Sequence, residues 1–332
     1  MKRRAFWLTP FLPLLLFAYG PAHSAPVRLA YKWEKGRVLG YNLGVSAEVG
    51  TTLSLPSGEE MEFGTIIRQG LSISLKALRV YKDGSADVLV RVARMAWEKR
   101  TTLGEHEFGI EFRMGPEGPE YSMWTEEGEQ DVPEGLREWL GWWAEFFEGL
   151  KEEGFIIKAT PRGKVLKVKG FDWAGEEVRE LFWGRLKRAV DFPKGPVDIG
   201  ERWKRRSLLL TIFTLLQIPA VMLEPIRGPG DPPMRPEVVQ ECELEGFANV
   251  KGFKCAKILL QAEVDEEFEG AKVSVSSEGV LYFAVEEGIL VHERGKFEGT
   301  IETGKGPVFE INGRYRYSLA TDSPTSLGRD SG

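Results

Sequence analysis

Histidine and cysteine are nearly missing from this sequence: three and two among 332 residues. A zinc site needs several such ligands close together, and none of the five has that company. No Cys-x-x-Cys stands at a helix start, which removes thiol redox catalysis. The chain has no Gly-x-Ser-x-Gly elbow, phosphate loop, Gly-x-Gly-x-x-Gly or His-Glu-x-x-His string, so serine-hydrolase, nucleotide and zincin chemistry lack sequence support. A net charge of −6 repels phosphate backbones and argues against nucleic acid as a partner. The basic runs Lys187-Arg188 and Lys204-Arg205-Arg206 are short and read as solvated faces. No metal and no cofactor is expected.

What is present begins with an export signature. Lys2, Arg3 and Arg4 precede an apolar run from Phe6 to Tyr19, and Ala22-His23-Ser24 supplies small residues at −3 and −1 before Ala25. The run falls short of the ~20 residues of a membrane span. Residues 1–24 therefore read as a cleaved signal peptide, and the mature protein is expected in the periplasm or outside the cell, not spanning a membrane.

Export gives the two cysteines an oxidising setting. Val238 to Glu245 and Phe253 to Val264 read as two strands of a hairpin. If the turn centres between Ala248 and Asn249, Cys242 and Cys255 face each other and a disulfide is expected, contributing roughly 3 kcal/mol. A turn centred on Lys251-Gly252 would separate them.

From Val27 to about Trp124 the chain reads as long strands. Leu71, Ile73, Leu75 and Ala77 alternate with polar residues, and after Asp83-Gly84 the alternation returns through Ala86, Val88, Val90 and Val92. The apolar parity changes between Ala77 and Val80, which calls for a bulge. A helix is expected next, with Asp131 and Glu134 in capping-box spacing and Pro133 in its first turn. A hairpin around Pro161-Arg162-Gly163 follows, then a second helix over 172–190 whose charge order suits the helix dipole. Residues 191–236 are rich in proline and glycine and read as a connection. Strands resume from Val238, turning at Glu287-Gly288, and 320–332 reads as a disordered tail.

The expected organisation is a β-rich domain over 25–190 with two helices, a connecting region over 191–236, and an antiparallel β domain over 237–319. The fold class is α+β: mainly antiparallel sheet, with two central amphipathic helices covering one face.

The string from Pro193 to Trp203, with Pro196, Val197 and Gly200, followed by the strands of 238–291, resembles a pattern in uncharacterised bacterial exported proteins and lipoproteins. The resemblance covers the C-terminal third. It implies an envelope protein and carries no catalytic residue across.

Two apolar features are candidates for binding. One is the aromatic helix face of Trp139, Trp142, Trp143, Phe146 and Phe147; the other is the run from Leu208 to Leu223, with Leu210 and Phe213. Either packs as core, or together they line a groove for a lipid or other apolar ligand. Catalysis is the less favoured reading, because His106 and His292 alone remain after signal removal and both read as surface residues. The alternatives are a module that engages another envelope protein, and a hydrolase using a carboxylate pair.

Overall fold

Period-two alternation and turn residues account for most of what forms. The computed structural model describes residues 25–54, 57–115, 118–170, 172–174, 183–209, 211, 239–268, 271–303 and 306–320. In chain order these build β1 (Val38–Ser54), β2 (Glu60–Val80), β3 (Ala86–Leu103), β4 (His106–Gly115), β5 (Gly118–Thr125) and β6 (Gly128–Gln130). Helix α1 (Glu134–Glu152), β7 (Phe155–Ala159), β8 (Val165–Lys169) and β9 (Arg202–Arg205) follow. The chain then forms β10 (Gln240–Val250), β11 (Phe253–Phe268), β12 (Ala271–Ala284), β13 (Ile289–Thr303) and β14 (Val308–Leu319).

All of these strands join one antiparallel sheet, in the order β6-β5-β4-β3-β2-β1-β14-β13-β12-β11-β10-β9, with β7 and β8 branching from β3. The joint between the early and late strands is β1 against β14, where Tyr41 stands opposite Leu319 and Val49 opposite Ile311. A sheet this wide curls.

Local chemistry places the turns. Gly84 takes φ 79, and Ser85 donates from its backbone N and its Oγ to Asp83 Oδ1 at 3.0 and 2.6 Å. The β2–β3 register shifts between Ala77 and Arg79, where the apolar parity changes.

One face of the sheet, here the inner face, carries the main core. Tyr41 and Leu43 of β1, Leu71 and Ile73 of β2, Leu281 of β12 and Tyr317 of β14 are buried there. They belong to one cluster with Leu29 and Tyr31 before β1, Leu140, Phe147 and Leu150 of α1, and Phe192, Val197 and Leu208 after β8.

The α+β expectation with two covering helices is overturned: among the described residues strand accounts for 65% and helix for 11%. The first helix forms at length, and residues 175–182 of the second lie outside the described residues. Of the second, the described parts are a 3-10 turn at Asp172–Ala174 and a helical turn at 183–186. Outside any long helix, Tyr31, Phe192 and Val197 join α1 in burying the inner face. The expected capping box is also absent. Pro133 is the N-cap without a side-chain cap bond, and Arg137 Nη2 donates to the Val132 carbonyl at 3.2 Å.

Candidate ligand-binding face

The inner face continues well beyond the helix. Along each long strand, the residues that share parity with the core run on as half-buried apolar side chains toward the far end. Val49, Phe63, Val275, Phe309 and Ile311 are of this kind, with Val273 and Ile301 buried among them. Register places them side by side: Val275 opposite Gly299, Gly299 opposite Ile311, Ile311 opposite Val49, and Val49 opposite Thr65. From Val264 on β11 to Thr101 on β3 this row crosses seven strands, or about 29 Å at the usual strand spacing. Phe63 meets Phe309 edge-on at 6.2 Å.

Val273, Ile301, Val275, Phe309 and Ile311 form a cluster of their own, with no member from α1 or from 183–209. Helix α1 packs on β3 and β5. Two glycines shape this region. A Cβ on Gly313 would run into the Phe297 ring, and one on Gly299 into the Ser274 carbonyl and Val275, so aromatic and branched side chains lie flat on the backbone there. Polar residues on the same parity are Thr51, Gln69, Lys99, Ser277, an exposed Glu266 opposite Val273, and a buried Thr65–Thr101 hydroxyl pair at 3.2 Å.

Between this region and the covered core lies a buried polar cluster. Arg205 Nη2 contacts Glu293 Oε2 at 2.6 Å, and its Nε lies 3.2 Å from Asp191 Oδ1. Tyr31 Oη donates to Asp191 Oδ2 at 3.1 Å and Leu208 N to Asp191 Oδ1 at 3.3 Å. Gln240 Nε2 donates to Tyr315 Oη at 3.3 Å nearby. Two carboxylates thus share one guanidinium out of water. Burial lifts the Asp191 carboxyl to about 6 against the pull of Arg205. Burial alone would lower the Arg205 pKa, but Glu293 and Asp191 raise it further above its usual value. The cluster ties the 191–209 segment to β13, and it is closed within the core.

The residues singled out in sequence fall apart in space. Phe146 and Phe147 are core: Phe147 packs on Phe112 at 6.4 Å and Phe146 on Trp173 at 5.5 Å, with Gly149 leaving room for the Trp173 ring. The backbone of Trp139, Trp142 and Trp143 lies in α1, while their side chains, together with Leu210 and Phe213, are outside the described residues.

The disulfide is corrected: Cys242 and Cys255 are both free. The turn centres on Lys251-Gly252, with Lys251 at φ 50 and Gly252 at φ 84, and the register slips at a bulge between Leu244 and Gly246. Cys242 therefore faces Leu260 and Cys255 faces Ala248, about 17 Å apart along the strand and on opposite sides of the sheet. Burial pushes the Cys242 thiol up to about 12 and the Cys255 thiol up to about 11, so neither is a thiolate at neutral pH.

His106 is exposed and lies 3.7 Å from Glu126. His292 is half-buried and stacked on Tyr282, with burial and then Arg294 lowering its pKa. Among the described residues no group of three or more His, Cys, Asp or Glu could hold a metal ion, and no helix is long and apolar enough to cross a membrane.

The far inner face and the Asp191–Arg205–Glu293 cluster were missed in sequence. Both had a signal in β13, where 293, 295, 297, 299 and 301 read Glu, Gly, Phe, Gly, Ile. A lone carboxylate on an apolar parity marks a buried charge, and the rest of the run marks an apolar face.

No family model matches the chain, and no curated protein matches it. Solved structures similar to it include the following two. A structure described as lipid-protein interactions in lipovitellin aligns at TM-score 0.43 and 6% identity, covering 90% of this chain and 26% of that one. The chain thus spans about a quarter of the lipovitellin chain it matches. The translocator domain of autotransporter NalP from Neisseria meningitidis aligns at TM-score 0.15 and 8% identity, covering 86% of this chain and 88% of that one. At these scores neither likeness bears on fold or function.

Proposed function

We propose that the protein is a non-catalytic binder of an apolar ligand, a lipid or a comparable molecule, and that it works in the cell envelope outside the cytoplasm. The observation that carries this reading is the second apolar cluster on the inner face, which extends past the helix with Val275, Phe309 and Ile311 half-buried. The apolar area of these side chains still in water adds nothing to stability, whereas a ligand laid on it recovers about 25 cal/mol for each Å² covered. The basic start, apolar run and Ala22-His23-Ser24 of the leader support export.

Two competing readings have less behind them. Asp191 and Glu293 both face Arg205 and are closed in the core, out of reach of a polymer substrate, which speaks against a hydrolase's carboxylate pair there. The outermost strands β6 and β9 are three and four residues long, and β9 is rich in Arg and Lys. Short edges, one of them basic, resist the addition of a partner's strand.

The test is uptake of Nile red, an uncharged apolar probe, by the wild type and by Val275→Asp, Ile311→Asp and Leu259→Asp. The first two residues lie on the inner face; Leu259 is an exposed apolar residue on the outer face. Uptake is expected to weaken by about tenfold or more in the inner-face variants and to stay at the wild-type level in Leu259→Asp. Equal uptake in all four proteins would remove the proposal.

A further inference from the structure

On the outer face of the sheet, β13 and β14 break the pairing rule for charges. Arg294 stands directly opposite Arg316, and Lys296 directly opposite Arg314. Like charges that face each other across antiparallel strands destabilise the pair, and here two such pairs are neighbours. The adjoining strand offers no relief, because Gly44 and Ser46 of β1 stand opposite Arg316 and Arg314. Arg68 of β2 comes next, opposite Ser46.

These residues line one groove of about 1130 Å³, in which five cations meet two carboxylates, Glu48 and Glu278. The excess is local, in a chain whose net charge is −6. Two of the five cations are committed: Lys296 Nζ lies 3.0 Å from Glu278 Oε1, and Arg68 Nη1 lies 3.2 Å from Glu98 Oε2. Arg294, Arg314 and Arg316 are exposed and make no ion pair or side-chain hydrogen bond among the described residues. His292, beside this patch, is disfavoured as a cation first by burial and then by Arg294, Lys251 and Arg316, as a positive local potential requires.

Three uncommitted guanidiniums cost stability and return nothing inside the protein. The sheet spaces their attachment points about 5 Å apart across the strands and about 7 Å along them, close enough for the three to act together. A guanidinium binds a phosphate through two parallel hydrogen bonds, and the small side chains at Gly44 and Ser46 leave the floor open. One phosphate group carries about two negative charges at neutral pH, too few to balance three guanidiniums, whereas two or more linked phosphates can.

We propose that this groove is a binding site for a small soluble anion carrying two or more phosphate groups, held by Arg294, Arg314 and Arg316. The site lies on the opposite face from the apolar cluster and stands independently of it. A flat membrane surface does not fill a groove, so a free anion is the occupant.

The experiment is calorimetric titration of the intact protein with tripolyphosphate and with orthophosphate at low ionic strength, beside sedimentation with anionic phospholipid vesicles. The variants are Arg294→Gln/Arg316→Gln and, as a control, Arg113→Gln, whose own partner is Glu111. Tripolyphosphate is expected to bind saturably, one to one, about tenfold or more tighter than orthophosphate and more weakly as salt rises. The double variant should lose about tenfold or more in affinity, while Arg113→Gln keeps it.

Without ligand, the double variant should melt higher than the wild type, because the facing Arg294–Arg316 pair is gone; a misfolded variant cannot imitate that gain. It should also keep its Nile red uptake, which separates failure here from failure of the apolar reading. Absence of saturable binding, unchanged affinity in the double variant, or binding to vesicles without binding to tripolyphosphate would each overturn the proposal.

Discussion

Arg205 and Glu293 stand 88 residues apart in the chain, yet Nη2 of one lies 2.6 Å from Oε2 of the other and neither is more than 1% exposed. The contact fastens β9, at one edge of the sheet, to β13 four strands away. Breaking a buried pair by removing one partner strands the other charge, at a cost of about 3–5 kcal/mol. Glu293→Ala is therefore expected to lower stability by that amount in urea unfolding followed by tryptophan fluorescence. Replacing Arg205, Glu293 and Asp191 together by Met, Leu and Asn should recover most of it, since no buried charge is then left unpaired. A loss below about 1 kcal/mol for Glu293→Ala would place the pair in contact with water.

The third member of the cluster sets a pH dependence. The Asp191 carboxyl titrates near 6 when folded, above its ordinary value of 3.8. The folded protein therefore holds an extra proton between these values, and the contribution of Asp191 to stability falls as pH rises through that window. Melting temperatures measured at pH 4 and pH 7 should show this component in the wild type and lose it in Asp191→Asn. An identical pH profile for the two proteins would refute the shift.

The two thiols give a chemical test of the register. With Cys242 opposite Leu260 and Cys255 opposite Ala248, no bridge can form without remaking the hairpin. Protein recovered from an oxidising compartment should release two thiols to an aromatic disulfide reagent after denaturation and almost none before it, because both are buried and held protonated. A mass two hydrogens below that of the reduced chain would show a bridge and a different turn.

These cysteines also mark the limit of what the sequence makes legible. Hairpins closed by glycine at positive φ could be read directly: Asp83-Gly84 and Glu287-Gly288 both form, and the parity change near Ala77 became a register shift. The 242–255 hairpin could not be placed, because Asn249 and Lys251-Gly252 compete as turn sites and the bulge at Gly246 shifts the pairing again. What covers the sheet was less legible: Tyr31, Phe192 and Val197 join α1 in the core from outside any long helix or strand, and no periodic pattern marks them. The parity of Glu293 marks a buried charge, but neither its partner Arg205 nor the β1–β14 joint has a local sequence signal. The far inner face was within reach, had the alternation in β13 been followed past Glu293.

Packing over glycine predicts which small substitutions the sheet tolerates. A side chain at Gly313 would collide with the Phe297 ring, whereas a Cβ at Gly44 meets nothing closer than the Gln69 carbonyl at 3.9 Å. Gly313→Val should cost about 1–3 kcal/mol and Gly44→Ala should leave the melting temperature nearly unchanged. Equal effects at the two positions would mean that the Phe297 ring does not lie where it is described.

The most direct test of the central claim is native mass spectrometry of the protein recovered from the cells that make it, beside its Ile311→Asp variant. The wild type is expected to carry an apolar adduct that is released on denaturation, and the variant to carry much less of it. A bare polypeptide mass for both proteins, together with no uptake of Nile red, would contradict the apolar-ligand reading of the inner face.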